Sequence, residues 1–253
     1  MTVNVDTVHA QLRQWYRQVP GRWVSRAERD QLDAFLPSLK GKRIAQIGCL
    51  SASSLLASSQ IPHRIILDPA VHALDVGPDI HAHADALPFD AETINVLVLP
   101  HTLEFASDPH GVLREVNRVL SPEGYVVIIG FNPWGLWGLW RLFRKHGGEV
   151  PWCGYFFGVS QIHAWLRSLD FQIARSHYFF FLPPSRHETL MRILSFLHVP
   201  GSQWFPISGL YLVVAQKRIA GLTPIRLRWE EIRSPLPDLC WVEPSAPEAN
   251  HGP

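Results

Sequence analysis

Between Lys42 and Phe131, short apolar runs alternate with segments of helical periodicity, and this alternation constrains the fold more than any other feature. The runs are RIAQI (43–47), RIILD (64–68), INVLVLP (94–100) and YVVIIGF (125–131), with a weaker candidate from Ile80 to His83. They lack a polar alternate face, as strands do when both faces of a sheet are covered. Between the last two lies DPHGVLREVNRVL (108–120), whose apolar side gathers Val112, Leu113, Val116 and Leu120. The segment after the first strand, GCLSASSLLASS, reads as a turn into a short helix. Strands separated by helices imply a doubly wound, Rossmann-like α/β fold with a mostly parallel sheet.

The flanks add to this core. Leu12, Trp15, Tyr16 and Val19 recur at helical spacing, and Gly21 is expected to end that helix. A second helix is expected from about Ser25 to Leu36, with Ser25 as N-cap and Glu28 as its capping-box partner. Beyond the core come a helix near Ser160 to Leu169 and two strands, FQIARSHYFFF (171–181) and GLYLVVAQK (209–217). The two strands can pair as an antiparallel edge. The expected organisation is an N-terminal helical cap (1–41), a main domain (42–219) and a loose Pro-rich tail (220–253). Within the main domain, residues 42–131 form the core and about 132–206 an acceptor-side insertion.

Composition narrows the function classes. Lys plus Arg at 23 against Asp plus Glu at 22 leaves a net charge of +1, which argues against a dedicated nucleic-acid binder. Cys49, Cys153 and Cys240 form no C-x-x-C pair, so reduced thiols in a cytoplasmic protein are expected. MTVNVDTVHAQLRQWYRQ has no continuous apolar stretch and reads without a secretory signal. Gly124 to Trp140 contains no charged residue, but Asn132 and Pro133 interrupt it and its first part is a strand, so no membrane span is expected.

In an open α/β sheet, ligands bind beyond the carboxyl ends of the strands. Gly48 follows the first strand and Asp68 ends the second. Asp85 follows the third, in HADALPF, and Pro100 and His101 end the fourth. A tight turn at Gly48 brings backbone close to a ligand. An acid at the end of strand two can accept both hydroxyls of a ribose, and Asp85 can accept from an exocyclic amine such as that of adenine. Leu87, Pro88 and Phe89 are candidates for an apolar wall against the base. No G-x-G-x-x-G and no P-loop is present, which excludes ordinary dinucleotide and nucleoside-triphosphate cradles.

The order D-A-L-P-F (Asp85 to Phe89, where the family reads D-A-x-x-L-P-F), strand (Ile94 to Leu99), H-x-L-E (His101 to Glu104) and R-V-L-x-P-x-G (Arg118 to Gly124) resembles the class I S-adenosylmethionine-dependent methyltransferases. The likeness is to the small bacterial type 11 group and covers about residues 42–131. GFNPWGLWGL and KRIAGLTP are similar to a proteobacterial subfamily of that group. The resemblance implies S-adenosylmethionine as cofactor, S-adenosylhomocysteine as product and an unidentified small or apolar acceptor. It also implies cofactor contacts from Gln46, Gly48, Cys49, Asp68, Asp85, Ala86 and Pro100, with His101 as the candidate catalytic base. The family's first motif usually begins with an acid and carries G-x-G-x-G, whereas this chain has Gln46, then Gly48, Leu50 and Ala52. Gln46 offers the ligand's ammonium an amide oxygen without a charge. The altered loop keeps a second class open, a catalytically inactive binding protein with the methyltransferase fold.

Other features are weighed against plainer readings. His81, His83 and Asp85 form H-x-H-x-D without the following histidine of a metallohydrolase loop, so no metal is expected. Glu104 reads as structural. FNPW follows strand five, not strand four, and is no N-P-P-Y-type nucleic-acid methyltransferase tetrad. Trp134, Trp137 and Trp140, followed by Phe143, Arg144 and Lys145, read first as a helix covering the core. The functional alternatives are a substrate lid or a peripheral membrane contact, and the latter would suit a lipid-modifying methyltransferase. PWCGYFFG and YFFFLPP are expected to converge with them over the end of strand four as an apolar acceptor pocket. The sequence does not specify the oligomeric state.

Overall fold

The computed structural model describes residues 5–48, 54–69, 79–144, 149–184, 188–195 and 208–218. Seven strands form one sheet: β1 (Arg43–Ile47), β2 (His63–Asp68), β3 (Ile80–His81), β4 (Ile94–Pro100), β5 (Leu120–Phe131), β6 (Phe171–Phe179) and β7 (Leu210–Lys217). Their order is β3-β2-β1-β4-β5-β7-β6. The first five pair in parallel, and β7 runs antiparallel to both β5 and β6. The expected antiparallel edge is therefore a strand inserted beside β5 with a second strand outside it.

Alternate side chains of each central strand enter different hydrophobic clusters. Val96 and Val98 of β4 join one with the N-terminal helices α1 (Val5–Tyr16) and α2 (Gly21–Phe35). Leu97 and Leu99 join the other with α4 (Pro109–Val119) and α6 (Val159–Ser168). Both faces are covered, which is why the strands read as continuous apolar runs. Residues 5–41 share their core with the sheet. Likewise α6 and β6, within the span expected to serve the acceptor, complete the sheet and its back layer.

Three local expectations change. Gly21 starts α2 and does not end α1: a Cβ there would lie 2.3 Å from the Trp15 carbonyl oxygen, so only glycine permits this close turn between the helices. Ser25 and Glu28 sit buried inside α2, and not at its cap, because Glu28 is committed to a buried polar cluster. Residues 55–58 form a turn where a short helix was expected. The tail from Ala220 onward lies outside the described residues.

Candidate active site

The strand order reverses between β1 and β4, so the crevice expected for a ligand lies at their carboxyl ends. β1 ends on Gln46 and Ile47, and Gly48 follows it. Gly48 has φ of 100°, a conformation that favours glycine, and its N–H donates to the Leu67 carbonyl across to β2. Gln46 is buried, and its Nε2 donates to the Gly48 carbonyl at 2.7 Å. That bond fixes the amide orientation and leaves Oε1 buried without a hydrogen-bond partner. A buried acceptor of this kind calls for a donor.

Beyond these ends lies a cleft lined by Ile47, Pro69, Asp85, Thr102, Phe105 and Val112, among others. It draws on β1, the turn after β2, the loop after β3, the short helix α3 (Thr102–Phe105) and α4. Thr102 ties the crevice together, its Oγ1 donating to the Ile47 carbonyl at 3.0 Å across the switch point. The loop after β3 is clamped by α4: Leu87 N–H donates to Glu115 Oε1 at 3.0 Å, and Arg118 donates to the Leu87 carbonyl at 3.1 Å. Arg118 also bonds Glu115, and this contact holds the Glu115 carboxyl below its ordinary range.

The expected site residues fall into three groups. Asp85 lines the cleft from an exposed position, whereas Gln46, Gly48 and Asp68 stand at the ends of β1 and β2, next in sequence to the lining residues Ile47 and Pro69. Pro100 is buried at the end of β4, whereas Ala86 is exposed and takes part in a turn back to His83. Cys49 lies outside the described residues. The apolar wall differs from expectation: Leu87 is core beneath α4, Pro88 is exposed, and Ile47, Phe105 and Val112 line the cleft instead. No group of metal-ligating side chains occurs among the described residues.

Asp68 stands at the end of β2 as expected, fully buried. Its Oδ2 accepts from the Arg13 guanidinium of α1 at 3.2 Å, and His9 Nδ1 lies 3.7 Å from Oδ1. The sequence reading gave the N-terminal helices as a cap, but not this contact, which joins residues 55 apart and leaves no local signature.

His101 is held differently from a free base. It has φ of 52°, an uncommon conformation for a residue with a side chain, and its ring is buried. Nε2 meets Glu28 Oε1 at 2.9 Å and Nδ1 meets Glu104 Oε1 at 3.2 Å. Burial alone would lower the imidazole pKa, but Glu104 and Glu28 outweigh it and raise it to about 9. An imidazolium bonded through both nitrogens has no lone pair for an acceptor's proton, so in this arrangement His101 positions its neighbours. Tyr16 Oη also donates to Glu28 Oε1, at 2.8 Å, and Phe131 N–H donates to Glu104 Oε1, at 2.8 Å. Burial and the nearby carboxylates push the Tyr16 hydroxyl well above its ordinary pKa.

Aromatic rings close over this network. Phe131 lies 4.1 Å from the His101 ring and stacks on Trp137 and Phe156; Trp137 in turn meets Trp15, Trp152 and Phe180. The aromatic segments thus converge at the β4 and β5 ends, as expected, but they pack against one another. Trp137 is fully buried and its Nε1 donates to the Leu182 carbonyl. It therefore drops out of the membrane contact expected of the three tryptophans, while Trp134 and Trp140 stay exposed.

Comparison with known proteins agrees with this geometry. Residues 47–128 match the family described as Methyltransferase domain. The uncharacterised protein YafS of Escherichia coli K12 is 31% identical over 206 residues, covering 80% of each chain. Among solved structures, a S-adenosylmethionine-dependent methyltransferase of Thermotoga maritima superposes with a TM-score of 0.59 at 17% identity, covering 81% of this chain and 94% of that one. The geranyl diphosphate C-methyltransferase of Streptomyces coelicolor, solved with S-adenosylhomocysteine, has a TM-score of 0.55 at 13% identity, covering 78% of this chain and 80% of that one. The strand order, the positive-φ glycine after β1 and these relatives lead to one assignment: the chain belongs to the class I S-adenosylmethionine-dependent methyltransferases.

Proposed function

We propose that the protein transfers a methyl group from S-adenosylmethionine to a small or apolar acceptor. The observation that carries this reading is the buried, unpartnered Gln46 Oε1 at the end of β1, in a side chain bonded to Gly48. The cofactor supplies an electrophilic methyl carried on sulfonium. Gln46 accepts from its ammonium, Gly48 gives it room, Asp68 shares its carboxylate with the ribose, and Asp85 faces the base from the rim. The aromatic packing at the β4 and β5 ends excludes water and favours an apolar acceptor. His101 orders Glu28 and Glu104, and rate enhancement comes from alignment of the acceptor. No helix among the described residues is long and apolar enough to cross a membrane. The free thiol of Cys153 is in keeping with a cytoplasmic location.

The engagement of Asp68 by Arg13 favours a second reading, a binding protein that has kept the fold and lost turnover. Isothermal titration of cofactor-stripped protein with S-adenosylmethionine, S-adenosylhomocysteine and NAD tests both. Micromolar binding of the two adenosyl compounds without NAD supports the shared binding reading, and an acceptor screen then separates enzyme from binder. No binding of either adenosyl compound overturns both.

A further inference from the structure

Helix α5 (Leu136–Arg144) leaves the same edge of the sheet that carries the crevice, four residues after β5 ends. One side of it is anchored, because Trp137 is buried among Phe131, Trp152 and Phe180. Several large apolar side chains on its other side are exposed among the described residues. Trp134 is 75% exposed, Phe143 78%, Leu142 63% and Leu139 54%, with Trp140 and Leu136 also exposed. A soluble monomer rarely leaves large side chains of this kind side by side. Beside them Arg141 lies over the Phe156 ring, 5.2 Å from its centroid, and donates to the Trp152 and Gly154 carbonyls, which braces α5 against the following loop.

Charge distinguishes the occupants of this face. From Pro133 to Gly148 the sequence carries Arg141, Arg144 and Lys145 and no acidic residue. A second copy docked symmetrically through this stretch offers those cations no carboxylate from it, whichever way the two helices run. An anionic bilayer meets both requirements: acyl chains take Leu139, Leu142 and Phe143, the headgroup zone takes Trp134 and Trp140, and anionic lipid attracts the cationic end. We infer that α5 with Trp134 is an interfacial anchor that seats the protein on an anionic lipid surface. The docking stands independently of methyl transfer. Its corollary, that the acceptor is a membrane-borne amphiphile presented at the crevice edge, rests on the function proposed above.

The test is cosedimentation of the full chain with vesicles of phosphatidylcholine alone or of phosphatidylcholine mixed with phosphatidylglycerol. The protein should pellet with the mixed vesicles, and less at high salt. A Leu142→Glu/Phe143→Glu double variant should lower partitioning at least about tenfold, and Arg144→Glu should lower it on mixed vesicles only. Titration of each variant with S-adenosylmethionine keeps the two readings apart: retained cofactor affinity with lost pelleting supports the anchor. Pelleting without any cofactor binding would overturn the proposed function and leave the anchor standing. Absence of pelleting, or pelleting that all α5 variants keep, overturns the anchor. So does a dimer that the double variant dissociates while wild type ignores vesicles, an outcome that would give the face to a second copy.

Discussion

Arg13 of α1 donates to the Asp68 carboxylate at 3.2 Å, joining the N-terminal helix to the strand end from which a ribose would be held. Both side chains are buried, so the carboxylate depends on donors from the protein or from the cofactor. Arg13→Ala should lower the melting temperature of ligand-free protein, by an amount equivalent to roughly 3–5 kcal/mol. Saturating S-adenosylmethionine should then raise the variant's melting temperature more than the wild type's, because ribose hydroxyls replace the lost donor. Equal shifts in a thermal-denaturation series would remove the ribose from Asp68.

Asp68→Ala should weaken S-adenosylmethionine binding by more than about tenfold, from the loss of charged hydrogen bonds to the diol. Isothermal titration checks it, and unchanged affinity would place the ribose elsewhere.

Gln46→Leu removes the buried, unpartnered Oε1 along with the Nε2 bond to Gly48. Binding of both adenosyl compounds should fall by about tenfold. Because the ammonium is common to the two, their ratio should not change. A loss confined to one of them would be inconsistent with the placement of the ammonium at Gln46.

The His101 imidazole pKa is raised to about 9 from 6.5. A raised folded-state pKa contributes stability that is fully present below about 6.5 and is lost as pH rises through about 9. The contribution is of order 3 kcal/mol at most. Urea unfolding across that interval should show wild type losing stability relative to His101→Gln, with the two curves converging at the alkaline end. NMR of the imidazole nitrogens should find the ring protonated at neutral pH.

Much of the sheet was legible because each central strand is buried on both faces and flanked by turn residues. Arg43 to Ile47 and Ile94 to Pro100 lie where the apolar runs place them. The strand-end rule likewise pointed to the cleft that Ile47, Pro69 and Asp85 line after β1, β2 and β3. What could not be read was every contact joining distant segments. Glu28 has capping-box spacing from Ser25, yet its carboxylate serves a histidine 73 residues away. His101 occupied the position of a base, but only the placement of Glu28 and Glu104 reveals that its lone pairs are spent. Thr102 and Phe105 line the cleft because α3 folds back over β1, a turn set by the left-handed backbone at His101 that no periodicity announces.

The position of β7 has a consequence for biosynthesis. β6 is translated before β7 yet lies outside it, bonded to β7 and not to β5. While the ribosome is still adding residues before Leu210, the nascent sheet ends at β5, and β6 has no neighbour to hold it in register. A chain stopped short of Lys217 therefore loses more than its last strand, because it leaves two sheet edges exposed where the finished protein has a continuous row. Such stalled or truncated products should be the ones that chaperones and proteases meet first.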